Sequence, residues 1–243
     1  MEILFYLLLL LVALLYASVG HGGASGYLAL MALFSVAPDL MKPTALLLNL
    51  FVSLVAFIQF YKNGYFRKKL FLPFAIGSVP LSFVGGLIEV DDSLYKQILG
   101  FLLLIPVARF VFLHQKESTD LRTSNIWLAL LIGAVIGFLS GLIGIGGGIL
   151  LSPILLLMRW ADQKQTAAVS ALFIFVNSLA GLGGQVITGV EFSSDMFLYV
   201  SVAFIGGLAG AYIGARHFHQ SRIKNVLALV LLVAAVKLLF TPA

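Results

Sequence analysis

Residues Ser140–Met158 read SGLIGIGGGILLSPILLLM, an apolar stretch interrupted by the glycine cluster GIGGG. The stretch lies within Ile126–Trp160, an apolar region longer than the roughly 20 residues of one membrane-spanning helix. Glycine destabilises a helix interior, so the cluster predicts two helices joined by a break. A weaker copy, SVGHGGASGYLALMALF at Ser18–Phe34, interrupts a second long apolar region at Ile3–Val36. We therefore expect two glycine-broken helical hairpins.

The composition is that of a membrane protein. Of the 243 residues, 61% are hydrophobic and 10% are charged, and none is cysteine. A soluble domain has about 45–50% apolar and about 25% charged residues, so lipid must solvate most of this chain. Without cysteine, disulfides, thiolate metal sites and cysteine nucleophiles are excluded. The net charge of +5 lies in short loops, which is typical of membrane topology signals and argues against nucleic-acid binding.

Six other apolar segments are each long enough for one membrane span. They are Pro43–Tyr61, Leu70–Ile88, Leu94–Leu113, Thr166–Ile187, Met196–Ala215 and Ile223–Phe240. With the hairpins at 3–36 and 126–160, they predict an all-α polytopic membrane protein. Its two inverted-topology repeats would be residues 1–113 and 125–243, with a linker at 114–124. Because no Lys or Arg precedes the first apolar segment, we expect a retained helix rather than a signal peptide.

The charged loops predict the topology. Lysine and arginine are enriched in the cytoplasmic loops of membrane proteins. This rule places Lys62–Lys69, His114–Ser124 and Arg216–Lys224 inside, and it leaves the acidic loops at Glu89–Ser93 and around Glu191 outside. For the intervening spans to alternate, each hairpin must begin and end on one side. Both chain termini are then expected outside.

The two halves of the chain align with each other. The matches are Gly20, Gly22 and Gly23 with Gly144, Gly146 and Gly147 at a spacing of 124, Ser53 and Gly64 with Ser178 and Gly189 at 125, and Ser93 and Lys96 with Ser221 and Lys224 at 128. A hairpin returns to its own side, so each half crosses an odd number of times and the halves are oppositely oriented. Inverted repeats with broken helices are typical of secondary transporters, whose sites lie near the bilayer midplane. Chance similarity between apolar helices is the alternative.

The glycine clusters are the first candidates for a binding site. A glycine break exposes backbone N–H groups and the positive end of the next helix dipole, which together favour anions. The candidate residues are Gly20, Gly22 and Gly23 in the first half and Gly144, Gly146, Gly147 and Gly148 in the second. Close helix packing through small residues is the alternative.

His21 is the one ionisable residue expected deep in the membrane in the first half, and Ile145 stands at the equivalent position in the second. Ionisable groups inside a membrane are costly and usually functional. His21 is therefore a candidate anion ligand and proton relay near neutral pH. A neutral histidine that hydrogen-bonds to a neighbour is the alternative.

Uncharged polar side chains within the spans are candidate donors to an anion, since amides and hydroxyls donate hydrogen bonds. These candidates are Ser25, Asn49, Ser53 and Gln59 in the first half and Ser170, Asn177, Ser178 and Gln185 in the second. Hydrogen bonding between helices is the alternative, and it suits the serines better than Asn49 and Asn177. No Asp or Glu lies inside a predicted span, so we expect neither a metal site nor a cofactor.

The two glycine-rich segments, Ser140–Met158 and Ser18–Phe34, resemble the signatures of the sulfite exporter TauE/SafE family, also called the toluene sulfonate uptake permease family. The resemblance covers nearly the whole chain. Its most specific residues are Gly144, Gly146, Gly147, Gly148 and Pro153. In the first half, Ala24 stands where a third glycine is usual, and no proline matches Pro153, so the two cradles differ in sequence.

The resemblance implies transport of sulfite, sulfonates or related anions across the bacterial cytoplasmic membrane. We predict a secondary transporter of small sulfur-containing anions that works by alternating access, with proton coupling left open. A passive anion channel with the same glycine-lined site is the alternative, and a membrane-embedded enzyme is disfavoured. The expected partners are a small anion and the lipid bilayer, and a homodimer is left open.

Overall fold

The computed structural model describes residues 2–18, 22–112, 121–217 and 221–240, and the regular structure in these ranges is entirely α-helical. The helices are α1 (Glu2–Ser18), α2 (Ala24–Leu33), α3 (Pro38–Lys62), α4 (Lys68–Leu87), α5 (Asp92–Phe112), α6 (Ile126–Ile143), α7 (Gly148–Leu157), α8 (Gln163–Ile187), α9 (Ser194–His217) and α10 (Ser221–Phe240). The prediction of an all-α fold is confirmed.

Five helices are long and apolar enough to cross a membrane, counting only the described residues. They are α3, α4, α6, α8 and, over Ser194–Ile213, α9. Large apolar side chains such as Ile76, Trp127 and Leu131 are exposed on the outer faces of these helices. An apolar surface of this extent needs lipid to cover it. The prediction of a multi-pass membrane fold is therefore confirmed.

Both glycine clusters end one helix and precede another. The first break separates α1 from α2, and the second separates α6 from α7. The residues that cap α2 and α7, Gly23 and Gly147, have φ angles of 95° and 77°, which glycine adopts without a steric penalty. With 10 residues each, α2 and α7 are about 15 Å long, half the thickness of the bilayer's hydrocarbon core.

Each broken region folds back on itself. In the first region, the rings of Phe5 and Phe34 contact each other with centroids 5.2 Å apart, at the start of α1 and just after α2. In the second, the N–H of Arg122 donates to the carbonyl of Arg159 at 2.7 Å, just before α6 and just after α7. The short helix thus returns to the end of the molecule at which the long helix begins.

Glycine also brings helix backbones into direct contact. A Cβ atom on Gly137 or Gly141 of α6 would collide with a backbone carbonyl of α4. Gly206 and Gly210 of α9 face carbonyls of α1 in the same way. In the register of the sequence repeat, α4 corresponds to α9 and α6 to α1. The two close pairs therefore occupy corresponding places in the two halves.

The helices α3 and α8 cross the middle of the molecule in opposite directions. Each has 25 residues and is about 37 Å long. Just beyond the end of α3, Arg67 Nη1 donates to Gln165 Oε1 at the start of α8, at 3.3 Å. The midpoints of the two helices meet at Asn49 and Ser178. This crossing positions the candidate site.

Candidate functional site

The side chain of Asn49 lies at the centre of the molecule. It is fully buried, near the middle of α3, and its Nδ2 donates to Ser178 Oγ of α8 at 3.2 Å. The other polar atom of this amide, Oδ1, has no hydrogen-bond partner within the described protein. Burying an unpaired polar atom is costly, so this amide suits a position where a further partner can bind.

Both helix breaks reach this amide. A Cβ atom on Gly22 would lie 2.7 Å from Asn49 Oδ1, and one on Gly146 would collide with Asn49 Nδ2 and lie 3.1 Å from Ser178 Oγ. Only glycine fits at either position without displacing its neighbours. Asn49 therefore lies beside the starts of α2 and α7, whose first N–H groups have no acceptor within their own helix.

Ile174 of α8 occupies the matching position in the second half. It follows Asn49 by 125 residues, the repeat spacing in these helices. Its Cγ2 would lie 2.8 Å from a Cβ on Gly22 and 2.9 Å from one on Gly146. The space between the two breaks is therefore lined by an amide from one half and by a branched alkyl group from the other.

Hydroxyl pairs join each short helix to its neighbour. Ser152 Oγ donates to the carbonyl of Gly148 at 2.8 Å and shares a hydrogen bond with Ser170 Oγ at 2.9 Å, which ties α7 to α8. Ser25 Oγ donates to the hydroxyl of Tyr16 at 3.0 Å, which ties α2 to α1. Two of the predicted donors, Ser25 and Ser170, are thus engaged in holding the breaks in place.

Several buried polar atoms of α3, α6 and α8 lack a hydrogen-bond partner within the described protein. They are Asn49 Oδ1, Ser53 Oγ, Ser140 Oγ, Asn177 Oδ1 and Gln185 Nε2. Buried polar atoms in native proteins nearly always have partners, so these atoms are suited to a bound ligand or water. The two hydroxyls and the Gln185 amide are able to donate hydrogen bonds.

The chemistry of the site is that of uncharged donors. The buried polar side chains that the structure describes are hydroxyls and amides, with no carboxylate among them. In the described part of the chain, no group of three or more His, Asp or Glu side chains is placed to hold a metal ion. Helix N-termini, hydroxyls and amides are groups that can bind an oxyanion through dipoles and hydrogen bonds, without a fixed positive charge.

Three predicted amides lie apart from Asn49. Asn177 turns its Nδ2 to the carbonyl of Phe173 in its own helix, at 2.8 Å. Gln59 is ten residues further along α3, which is about 15 Å from Asn49. Gln185 lies near the end of α8 and lines a cavity of about 400 Å³. The structure therefore separates side chains that the sequence analysis groups into one site.

The other predicted glycines support the backbone of the breaks. A Cβ at these positions would meet Tyr27 at Gly23, Lys42 at Gly144, Ile136 and Phe173 at Gly147, and Ile174 at Gly148. Gly20 and His21 lie outside the described residues. The proton relay at His21 therefore stays a prediction.

Comparison with known proteins identifies the family. The sulfite exporter TauE/SafE family matches residues 5–238. The chain belongs to this family. Relatives of the chain include the probable membrane transporter protein y4hK of Sinorhizobium fredii, which is 37% identical over 233 residues that make up 94% of each chain. The resemblance carried by the GIGGG signature is thereby confirmed.

Two further relatives of the chain are more distant. The probable membrane transporter protein YunE of Bacillus subtilis is 26% identical over 84% of this chain and 82% of its own length. The sulfite exporter TauE/SafE family protein 1 of Arabidopsis thaliana is 30% identical over 40% of this chain and 22% of its own length. No solved structure matches the chain. Membership of the TauE/SafE family makes this protein a multi-pass membrane transporter rather than an enzyme, as predicted.

Three residues of this TauE/SafE transporter are absent from the predicted site. Ile174 carries no sequence signal because it is one apolar residue in an apolar helix. Lys42 is half-buried two turns before Asn49, and this seven-residue spacing on one helix face is a signal that could have indicated it. Tyr95 donates its hydroxyl to the carbonyl of Ile143 at 3.0 Å, which holds the end of α6 just before the second break.

Proposed function

We propose that this transporter moves small sulfur-containing anions, such as sulfite and sulfonates, across the bacterial cytoplasmic membrane by alternating access. The observation that carries the proposal is the convergence of both helix breaks on the Asn49 amide. The substrate class is supported by the words "sulfite exporter" in the name of the family and of its Arabidopsis relatives.

An anion is the ligand best matched to this site. The N-terminal ends of α2 and α7 each carry a partial positive charge of about half a unit from the helix dipole. The buried side chains that the structure describes around them are neutral, so no carboxylate among these residues competes with an anion for the dipoles. Ser53 and Ser140 add hydroxyl donors that have no partner within the described protein.

A sulfonate fits the two-sided character of the site. Its charged oxygens accept hydrogen bonds, whereas its organic substituent is apolar. Asn49 and Ser178 form a polar wall, and Ile174 forms an apolar wall between the same two glycines. An anion with a small apolar substituent would satisfy both walls at once.

Inverted repeats that exchange roles support alternating access. The rings of Phe5 and Tyr199 contact each other with centroids 5.0 Å apart, so the free end of the first hairpin lies by the start of α9. Near the free end of the second hairpin, Lys164 Nζ donates to Tyr65 OH at 3.0 Å, beyond the end of α3. The hairpins thus open toward opposite ends of the molecule, which is the arrangement that an inverted repeat requires.

The orientation in the membrane is proposed from the basic loops. Lys62–Lys69 would face the cytoplasm, and both termini would lie outside. Because the chain has no cysteine, single cysteines in these loops can be labelled with an impermeant thiol reagent in intact cells. Labelling of a cysteine at Gly64 but not of one at Asp91 would show that the chain has the opposite orientation in the membrane.

Flux measurements test the function directly. Uptake of radiolabelled sulfite and of a small sulfonate into proteoliposomes is expected to saturate, and preloaded unlabelled substrate is expected to accelerate it. The variant Asn49→Ala should abolish this flux, whereas Asn63→Ala, at the exposed end of the same helix, should leave it intact. Response to an imposed pH gradient would establish proton coupling and make His21 the first residue to examine.

Three results would contradict parts of this proposal. Flux that neither saturates nor responds to preloading would identify a passive channel. The absence of flux for both compounds would remove the substrate class. Equal flux in Asn49→Ala and in the unmodified protein would remove the site.

A further inference from the structure

A cavity of about 400 Å³ opens at one end of the α3–α8 pair. It lies between the start of α3, the end of α4 and the end of α8, and its lining includes Lys42, Gln185, Tyr95, Leu142 and Glu89. The cavity is large enough for a small organic anion together with water. Its chemistry therefore bears on how a substrate reaches the buried site.

Lys42 supplies a positive charge to this cavity. Its side chain is half-buried, and its Nζ donates to the carbonyl of Ile88 at 3.2 Å and, more weakly, to that of Gly86 at 3.5 Å. These carbonyls lie at the end of α4, so Lys42 also caps that helix. An ammonium group has three donor protons, and the two carbonyls leave one for a ligand in the cavity.

Gln185 supplies a second donor. Only 4% of the residue is exposed, it lines the cavity, and its Nε2 has no hydrogen-bond partner within the described protein. A buried amide N–H without a protein partner is suited to a ligand or a water that accepts a hydrogen bond. Lys42 and Gln185 together favour an oxyanion over a cation or a neutral apolar molecule.

The helical register connects this cavity with the site at the crossing. Lys42 precedes Asn49 by seven residues in α3, and Gln185 follows Ser178 by seven residues in α8. Seven residues are two helical turns, so each pair shares a helix face and is separated by about 10 Å. Lys42 and Gln185 therefore lie two helical turns from the hydrogen-bonded pair of Asn49 and Ser178, on the side of the cavity.

The corresponding positions at the opposite end of the α3–α8 pair are apolar. By the 125-residue spacing, Ala167 stands in place of Lys42, and Phe60 stands in place of Gln185. Phe60, Ala167 and Ala168 are buried together, and Tyr65 packs against them. Where the cavity has two polar donors, the corresponding place in the other half has an apolar plug.

Three carboxylates lie at the rim of the cavity. Asp39, Glu89 and Asp92 line it and are exposed to solvent. Solvent and salt screen the charges of these exposed carboxylates more than the charge of the half-buried Lys42. Lys42 is the described cation within the lining, so it sets the preference deeper in the cavity.

We propose that this cavity is an access site for the anionic substrate, in which Lys42 and Gln185 bind the oxyanion before it passes to Asn49. The inference rests on the proposed function for the identity of the substrate. The anion preference of the cavity is a separate property, and it can be measured without any transport assay.

Thiol-labelling rates measure this preference. Val190 lines the cavity and is half-buried, and Val190→Cys would be the sole cysteine in the chain. Its reaction rates with an anionic and with a cationic methanethiosulfonate reagent of similar size are compared in detergent. The rate ratio of the two reagents with free 2-mercaptoethanol in the same buffer gives the reference ratio. We expect the anionic reagent to be favoured at Val190→Cys by at least about threefold relative to this reference.

Variants assign the preference to individual side chains. Lys42→Gln, which keeps hydrogen-bond donors for the α4 carbonyls, should abolish the preference, and Lys42→Arg should retain it. Lys96→Gln, which removes a charge outside the cavity lining, should leave the ratio unchanged. Methanesulfonate should slow the labelling of Val190→Cys, and Gln185→Leu should remove this protection.

The outcomes separate this inference from the proposed function. A Lys42-dependent anion preference without flux of any sulfur anion would uphold the access site and reject the proposed substrate. If flux proceeds but the ratio of labelling rates is the same in Lys42→Gln as in the unmodified side chain, the access site is overturned and the proposed function stands. A cationic preference that persists in Lys42→Gln would likewise overturn it, because the rim carboxylates would then dominate.

Discussion

At the first helix break, the ring of Tyr27 lies against Gly23, and Tyr16 binds Ser25 through its hydroxyl. At the second break, the corresponding contacts come from Ile136 and Phe173 and from a pair of serine hydroxyls. The backbone conformation is the same at both breaks, since a glycine in the left-handed conformation precedes a ten-residue helix in each case. The surroundings are two tyrosines in one half, and an isoleucine, a phenylalanine and two serines in the other. Backbone geometry is therefore repeated where side-chain chemistry is not.

The same contrast recurs at the crossing itself. Asn49 and Ile174 occupy corresponding positions and touch the same two glycines. One residue offers a polar amide and the other offers methyl groups. A ligand between the breaks thus meets two different walls, so exchanging the halves does not give an identical site. The following substitutions test how much each half contributes.

The largest effect is expected for Gly146→Ala. This change adds a Cβ that collides with Asn49 and Ile174, and it forces a side chain into a φ of 68°, which costs about 1–2 kcal/mol. Flux per folded protein should fall at least about tenfold, and Tm should drop. Gly22→Ala, which collides with Asn49 without a positive φ, should lose flux with a smaller loss of Tm.

Gly64→Ala is the matched control for this pair. Gly64 has a φ of 78°, yet a Cβ there meets nothing within 4 Å. It shares the backbone cost and lacks the collision, so its flux should be normal. Loss of flux in Gly64→Ala equal to that in Gly146→Ala would show that backbone strain alone explains the effect.

The next effect separates the two asparagines. Asn49→Asp would place a carboxyl group between the breaks, where a charge opposes a bound anion. Anion affinity, measured as the anion-dependent shift in Tm, should fall at least about tenfold, which is roughly 1.4 kcal/mol. Asn177→Asp should have a smaller effect because that side chain faces the carbonyl of Phe173 in its own helix. Equal losses in both variants would reject Asn49 as the special position.

A smaller effect is expected for Ile174→Asn, which gives both walls an amide. Competition between sulfite and a small sulfonate should shift toward sulfite by a few-fold, because the apolar wall for the organic substituent is lost. Ile174→Val keeps an apolar wall and serves as the control. An unchanged preference in Ile174→Asn would mean that the substituent does not contact this wall.

The smallest effect concerns the ends of the short helices. Ser35 and Arg159 follow α2 and α7 with positive φ angles of 60° and 56°. Arg159→Gly should raise stability by up to about 1 kcal/mol, because glycine adopts this conformation without strain. Ser35→Gly should be close to neutral, because it also removes the 2.9 Å hydrogen bond from Lys237 Nζ to Ser35 Oγ. Thermal unfolding of both variants in detergent measures the difference, and a larger gain in Ser35→Gly would contradict this account.

The sequence predicts the architecture well because its strongest signals are local. Apolar run length predicts the helical membrane fold, and the glycine clusters mark the positions at which α1 and α6 end. The composition alone predicts that lipid surrounds most of the chain. These features depend on neighbours along the chain, so no knowledge of tertiary contacts is needed to infer them.

The site is predicted only in part because its geometry depends on how helices cross. The sequence singles out Asn49 and Asn177 equally, yet the crossing gives Asn49 a partner in α8 and turns Asn177 to its own backbone. Gln59 and Gln185 are both amides near the end of a 25-residue helix, but these helix ends lie toward opposite ends of the molecule. The sequence places Lys42 on the helix face of Asn49, but its contact with the end of α4 is a tertiary contact that the sequence does not give. A single sequence does not determine such pairings.

The direct backbone contacts between helices have a mechanical consequence. Gly141 locks α6 to α4, Gly184 locks α8 to α4, and Gly210 locks α9 to α1, each without a side chain in between. Tightly packed interfaces rearrange in discrete steps rather than by smooth deformation. We therefore expect each group of helices joined in this way to move as a rigid body. Side chains, chief among them Asn49 and Ser178, fill the seam between α3 and α8. A ligand bound there would link α3 to the rigid group of α4, α6 and α8, and its release would allow α3 to move relative to that group.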